Sequence, residues 1–318
     1  MPTPGLRHTN GCLGNLDVNL WCIERSSTMR AWFSAAVLSL TLLTAVCATL
    51  PPPNGDLLPE SALGVGRRTS RKAQQPGVFR EYQGWEYENY PVPPDFNVAS
   101  EWVFARFMYR AVAGRYGRRN NWTIDYPRSD RHLSAAVRRL TRVDARSVEE
   151  PVAAEDNDDI YNWPWLYAVE VGHWDLTDLE AAKLRDYLDR GGFFMCDDFH
   201  GTWEWENFTA SLKKVFPDRA VVDIPDDDPI FHTVYDLDER YQVPGEQFVY
   251  TKRTFEFDGY RPRWRGIYDD HGRLVVAICH NMDLGDSWEH ADNPLYPEQY
   301  SALGFRIGVN YIVYAMTH

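Results

Sequence analysis

The stretch Gly191-Gly192-Phe193-Phe194-Met195-Cys196-Asp197-Asp198-Phe199-His200-Gly201 decides the fold. Paired glycines end whatever precedes them, and four apolar residues follow without alternation. That is the pattern of a strand covered on both faces, as in a parallel sheet between helices. Upstream, Thr177-Asp178-Leu179-Glu180 fits a capping box and opens a helix with Ala181, Leu184 and Leu188 on one face, closing at Gly191-Gly192. Downstream the reading predicts a helix from about 204 to 215, a strand over 220–224, an irregular stretch, a strand over 273–279 and a buried helix from about 297 to 315. Toward the N-terminus it predicts a strand over 102–109, a helix over 129–142 and a strand over 165–171. Strands alternating with helices predict an α/β domain of three layers on a mainly parallel sheet.

That domain is expected to occupy residues 100–318. Residues 49–99 are rich in Pro, Gly and Arg and read as a linker, in which Trp85, Tyr87 and Tyr90 are the first candidates for order. Before it, residues 29–48 run from Met29-Arg30 through an apolar stretch to Ala48, the layout of a signal peptide. The stretch is short for a membrane span of about 20 residues, so a cleaved signal is preferred to a permanent anchor. Residues 1–28 precede the signal and read as an over-extended start. An exported, periplasmic or envelope-associated protein follows, touching a membrane only through that segment. Of five cysteines, only Cys196 and Cys279 lie beyond the leader, both in apolar runs where a lone cysteine acts as a small hydrophobe.

Composition narrows the function classes. With 46 acidic against 33 basic residues the net charge is −13, which argues against nucleic acid as a partner. Eleven arginines against three acids between 106 and 146 form the one basic region, read as a solvated helix face or a patch for an anionic partner. Aromatic residues make up 14% of the chain, enough to line a binding site as well as a core.

In open α/β sheets, ligands gather outside the carboxyl ends of the strands. Asp197, Asp198 and His200 stand there, directly after the run 193–196, and are the candidate catalytic or metal-holding groups. Adjacent strand residues face opposite ways, so at most one aspartate is expected to enter a pocket while the chain stays extended. After the strand 273–279 comes His280-Asn281-Met282-Asp283-Leu284-Gly285-Asp286-Ser287-Trp288-Glu289-His290. It lies at the same sheet edge if the two strands are parallel. His280, Asn281, Asp283, Asp286 and Glu289 are candidate ligand contacts, together with Trp203 and Glu204. The segment does not match an EF-hand loop and reads as an acidic turn. No serine elbow, phosphate-binding glycine loop or H-E-x-x-H helix is present.

The run 188–201, with Phe216-Pro217-Asp218, Pro229-Ile230-Phe231, Asn281 to Glu289 and the ending Gly308 to His318, resembles a bacterial family of domains of unknown function, number 4159. The segments appear in matching order over about 100–318. The resemblance implies an exported protein with a flavodoxin-like fold, similar to class I glutamine amidotransferases and trehalose-utilisation-like proteins. Those amidotransferases carry a nucleophilic cysteine in the turn after this strand. This chain places Asp197, Asp198 and His200 there and keeps Cys196 in the strand, so thiol chemistry is not expected. The expectation is an α/β domain binding a small polar or carbohydrate-like ligand at the strand ends, with no certain cofactor. The alternatives are a hydrolase using a divalent metal at Asp197, Asp198 and His200, and an envelope scaffold without catalysis.

Overall fold

The computed structural model describes residues 91–112, 121–155 and 158–318, and all of them fall within one compact unit. The signal expected over 29–48, the start over 1–28 and most of the linker expected over 49–99 lie outside the described residues. So do Trp85, Tyr87 and Tyr90.

The strands are β1 (Ala105–Met108), β2 (Glu150–Ala153), β3 (Trp165–Ala168), β4 (Phe193–Cys196), β5 (Val222–Asp223), β6 (Arg263–Tyr268) and β7 (Leu274–His280). The helices are α1 (Arg128–Leu140), α2 (Asp178–Asp189), α3 (Gly201–Val215), α4 (Gln247–Thr251), α5 (Leu284–Glu289) and α6 (Glu298–Thr317). They build one sheet in the order β2-β1-β3-β4-β7-β6-β5. The five strands from β2 to β7 are parallel, while β6 and β5 extend the sheet antiparallel. Alternate side chains of the central strands enter two cores. Trp165, Tyr167, Phe193 and Met195 pack with α1, α5 and α6, whereas Leu166, Ala168, Phe194 and Cys196 pack with α2 and α3. This is the three-layer α/β arrangement, and burying each such aromatic contributes about 1.5–3 kcal/mol. No helix among the described residues is long and apolar enough to cross a membrane.

Local chemistry explains the central elements. Thr177 Oγ1 accepts the Glu180 N–H at 3.1 Å and Glu180 Oε2 accepts the Thr177 N–H at 2.8 Å, so the capping box is closed both ways. α2 ends where Gly191 takes φ 106°, a conformation glycine adopts without a Cβ penalty. β4 and β7 then pair in parallel, Phe194 with Val276 and Cys196 with Ile278, which sets the loops after both strands side by side.

Several expected boundaries shift. The strand expected over 102–109 is Ala105–Met108, and the one over 165–171 stops at Ala168, leaving Glu170 in a left-handed turn. The strand expected over 220–224 shrinks to two exposed residues that pair antiparallel with β6. Both β2 and β6 are additions. β2 carries Glu150-Pro151, and proline is tolerated because the strand lies at the sheet edge. β6 carries Arg263 and Arg265 and sits in the stretch expected to be irregular.

The basic region divides between surface and core: among its described arginines, Arg110, Arg138, Arg139 and Arg142 are exposed, as a solvated face requires, and three are internal. Arg106, Arg131 and Arg146 are buried and paired with Asp130, Glu149 and Glu150.

Candidate functional site

Strand order reverses at β1, with β2 on one side and β3 on the other, and the crevice at such a reversal is where doubly wound sheets hold ligands. A cavity of about 280 Å³ opens there. Each of three parallel strands delivers part of its wall from its carboxyl end: Asn121 and Ile124 after β1, Glu170 and His173 after β3, Asp198 and His200 after β4. Glu204 on α3, with Glu256 and Phe257 from the segment before β6, completes it. Glu170, Asp198 and Phe257 hold φ of 52°, 51° and 46°. A non-glycine residue in that region carries strain of about 1–3 kcal/mol, and such strain gathers at functional sites.

Two carboxylate–imidazole pairs line the cavity. His173 Nδ1 lies 2.8 Å from Glu170 Oε2, and its Nε2 lies 3.7 Å from Glu204 Oε1. His200 Nε2 shares a proton with Asp198 Oδ1 across 3.2 Å, while His200 Nδ1 is buried without a hydrogen-bond partner. Burial pushes Glu204 and Glu256 up to about 7 and Asp198 well above the carboxylate range, where Glu170 raises it further. Burial, with His280 nearby, pushes His200 down to about 3, so its ring is neutral. Burial alone would lower His173, but the Glu170 hydrogen bond and charge outweigh it and leave the group raised. Among the described residues, the lining holds four carboxyl groups and two imidazoles, with neither lysine nor arginine.

Of the residues singled out in the sequence, Asp198, His200 and Glu204 meet in this cavity. Trp203 is exposed, with its ring 5.5 Å from His173. Asp197 does not join them. It faces the opposite layer, where its Oδ2 accepts from the Tyr167 hydroxyl at 3.0 Å and from the Leu284 and Gly285 amides at 2.8 and 2.9 Å. Asp197 thereby anchors the first turn of α5, and burial pushes it up to about 7 against those hydrogen bonds.

His280 and Asn281 line a separate cavity of about 240 Å³ with Trp205, Arg263 and Arg265. There His280 stacks on Phe199 with centroids 4.8 Å apart and donates from Nε2 to the Gly201 carbonyl at 3.2 Å. Asn281 clamps the start of α3 by accepting the Gly201 N–H at 2.8 Å.

Asp283, Asp286 and Glu289 form a third group on α5. Asp283 caps the helix by accepting the Asp286 N–H at 2.7 Å. Among the described residues, triads whose ligand atoms lie within 4.8 Å of one another are Asp125–Asp283–Asp286 and Asp286–Glu289–His290.

Sequence reasoning missed Asn121, Asp125, Glu170, His173 and Glu256. For Glu170 and His173 the signal was present, because they follow a buried strand as Asp198 does. Extending that strand to Val171 concealed them. Nothing local marks the other three.

The model of a family described as a domain of unknown function (DUF4159) matches residues 104–316, more than half of the chain, and the chain belongs to that family. No curated protein matches it.

Proposed function

We propose that this DUF4159 member uses the cavity at the β1/β3 reversal to bind a small polar ligand rich in hydrogen-bond donors. The ligand would be a polyhydroxylated molecule or one carrying an amino group. One observation carries the reading: Glu170, Asp198, Glu204 and Glu256 converge with two imidazoles, and among the described residues no lysine or arginine lines the wall. Such a wall is short of donors, so an occupant must supply N–H or O–H groups to satisfy it. An anionic ligand would crowd against four carboxyl groups that lose protons as pH rises, and would bind less well than a neutral or cationic one.

The cavity size suits a ligand of about one sugar ring, near the low end of small-molecule sites. Trp203 at its edge offers an aromatic face. Carboxyl groups held near neutrality could move protons to and from a hydroxyl or an amine, which makes Glu204 and Glu256 the candidate acid–base groups, with the Asp198–His200 pair beside them. The leader at 29–48 supports export, so the encounter with the ligand is assigned to the periplasm or cell envelope.

Calorimetric titration with three sugars of one ring size tests this. Glucosamine is expected to bind more tightly than glucose, and glucose more tightly than glucuronate, with Asp198→Asn and Glu204→Gln weakening the amino sugar most. If glucuronate binds as well as glucosamine, or none of the three saturates the protein, the reading falls.

A further inference from the structure

Behind the cavity wall, oxygen atoms from three distant parts of the chain converge. Asp125 follows Ile124 of the cavity lining, Gln247 opens α4, and Asp283 and Asp286 belong to the first turn of α5. Carboxylate oxygens of Asp125, Asp283 and Asp286 lie within 4.8 Å of one another. Asp283 Oδ2, Asp286 Oδ2 and Gln247 Oε1 crowd over Gly245, at 2.4, 2.7 and 2.8 Å from where a β-carbon would sit. Gly285 likewise leaves room for Asp125 Oδ2, which would lie 2.2 Å from a β-carbon there.

A second kind of observation concerns neutral groups. Both heteroatoms of the Gln247 amide are shut off from solvent and bond to nothing, as is Asp125 Oδ2. A buried oxygen left without a partner is unfavourable, so the Gln247 and Asp125 oxygens call for a group that meets their lone pairs. His290 does not fill the role: its Nε2 lies 3.5 Å from Asp286 Oδ1, while the converging atom is Oδ2. Arg106 is committed to Asp130 and to two backbone carbonyls.

We propose that Asp125, Asp283, Asp286 and the Gln247 amide oxygen hold a hard divalent cation of the calcium or magnesium type. The donors are all oxygen, without thiolate or imidazole, which selects hard ions over zinc or copper. Two positive charges offset most of three carboxylates, and the amide oxygen gains the partner it lacks. The ion joins the connection after β1 to α4 and α5 and so fixes the wall that carries Asn121 and Ile124. The inference does not depend on what occupies the cavity. The acidic turn at 280–290 supplies only part of the set, and Asp125 completes it from 158 residues away.

The competing arrangement holds no cation. With the Gln247 amide turned over, its nitrogen would donate to the carboxylates, and protons would settle the rest.

Thermal unfolding of the full chain, stripped with chelator and titrated with calcium or magnesium, separates the two. The unfolding midpoint is expected to rise with each tenfold increase in cation, and native mass spectrometry to show one ion per chain. Asp125→Asn is expected to abolish that rise and, in chelator, to unfold no earlier than the parent protein, since it removes one of three like charges. Should Asp125→Asn not fold, Gln247→Glu decides: a fourth carboxylate tightens calcium binding and lowers the midpoint in chelator. A parent protein indifferent to both ions overturns the proposal. So does an undiminished response in Asp125→Asn, or a Gln247→Glu variant that binds calcium no better.

Discussion

Replacing Arg106 with methionine tests what holds the first wall of the site. Arg106 lies on β1 with no exposed surface. Its Nε donates to Asp130 Oδ2 at 2.9 Å and its Nη2 to Asp130 Oδ1 and, at 3.0 Å, to Ser129 Oγ. Its Nη1 donates to the carbonyls of Trp122 at 3.1 Å and Ile124 at 2.9 Å. One guanidinium therefore ties the segment 122–130 to the sheet. Methionine keeps the volume but leaves Asp130, also fully buried, with only the Ser129 hydroxyl at 2.9 Å. Breaking a buried pair from one side costs about 3–5 kcal/mol, and the two carbonyls that lose donors add to it. A domain stable by about 5–15 kcal/mol would lose a large share. Urea unfolding followed by tryptophan fluorescence is expected to show Arg106→Met destabilised by at least about 3 kcal/mol at unchanged slope. Asp130→Leu alone strands the guanidinium and should cost a similar amount. The double variant buries neither charge and is expected to be more stable than the two single losses predict together. Additive losses, or an Arg106→Met cost below about 1 kcal/mol, would refute the view that this pair secures the wall.

Two further predictions follow from buried groups. Burial pushes the Glu204 carboxyl from 4.5 to about 7, so the fold favours its protonated form; that contribution is complete below pH 4.5 and is lost as pH rises through 7. The stability difference between the parent protein and Glu204→Gln should therefore change by up to about 3 kcal/mol across that window, read from unfolding curves at stepped pH, and a pH-independent difference would contradict it. Cys196 faces the α2/α3 layer and Cys279 the α6 layer, and burial raises both thiols well above their ordinary value. Neither should react with an alkylating reagent until the protein is unfolded, and non-reducing peptide mapping should find no 196–279 disulfide.

Legibility in the sequence follows burial. β4 and β7 could be read because neither face meets water, so Phe193 to Cys196 and Leu274 to Cys279 are unbroken apolar runs. β2 and β6 lie toward the sheet's two ends and answer to other demands. Glu150 in β2 pairs with Arg146 at 2.6 Å, and Arg265 in β6 lies over the Trp205 ring at 4.3 Å and reaches Asp223 at 3.2 Å. Their charges look like loop residues until the partners are known. The strand at 165–171 was overextended because Val169 and Val171 are buried beyond its end, and burial alone does not distinguish a strand from the turn that follows it.

The same limit governs the charged residues, and here it separates the parts of the candidate site. Asp198 and His200 were found because a rule about strand ends needs only one strand. Asp125 obeys no local rule: it sits in a turn between β1 and α1 and acquires meaning only when the sheet order brings that turn against α5. Net charge was equally silent, since it counts residues without saying which pairs cancel. Among the described residues, three arginines of the basic region neutralise Asp130, Glu149 and Glu150 inside the fold. None of those three pairs with Asp125, Asp283 or Asp286, although the same connection after β1 carries both Asp125 and the Asp130 that Arg106 neutralises. Among the described residues the fold sets a guanidinium against Asp130 but only an imidazole, His290 at 3.5 Å from Asp286, beside the three neighbouring carboxyl groups. A bound cation would supply the charge that Asp125 and Asp283 lack there.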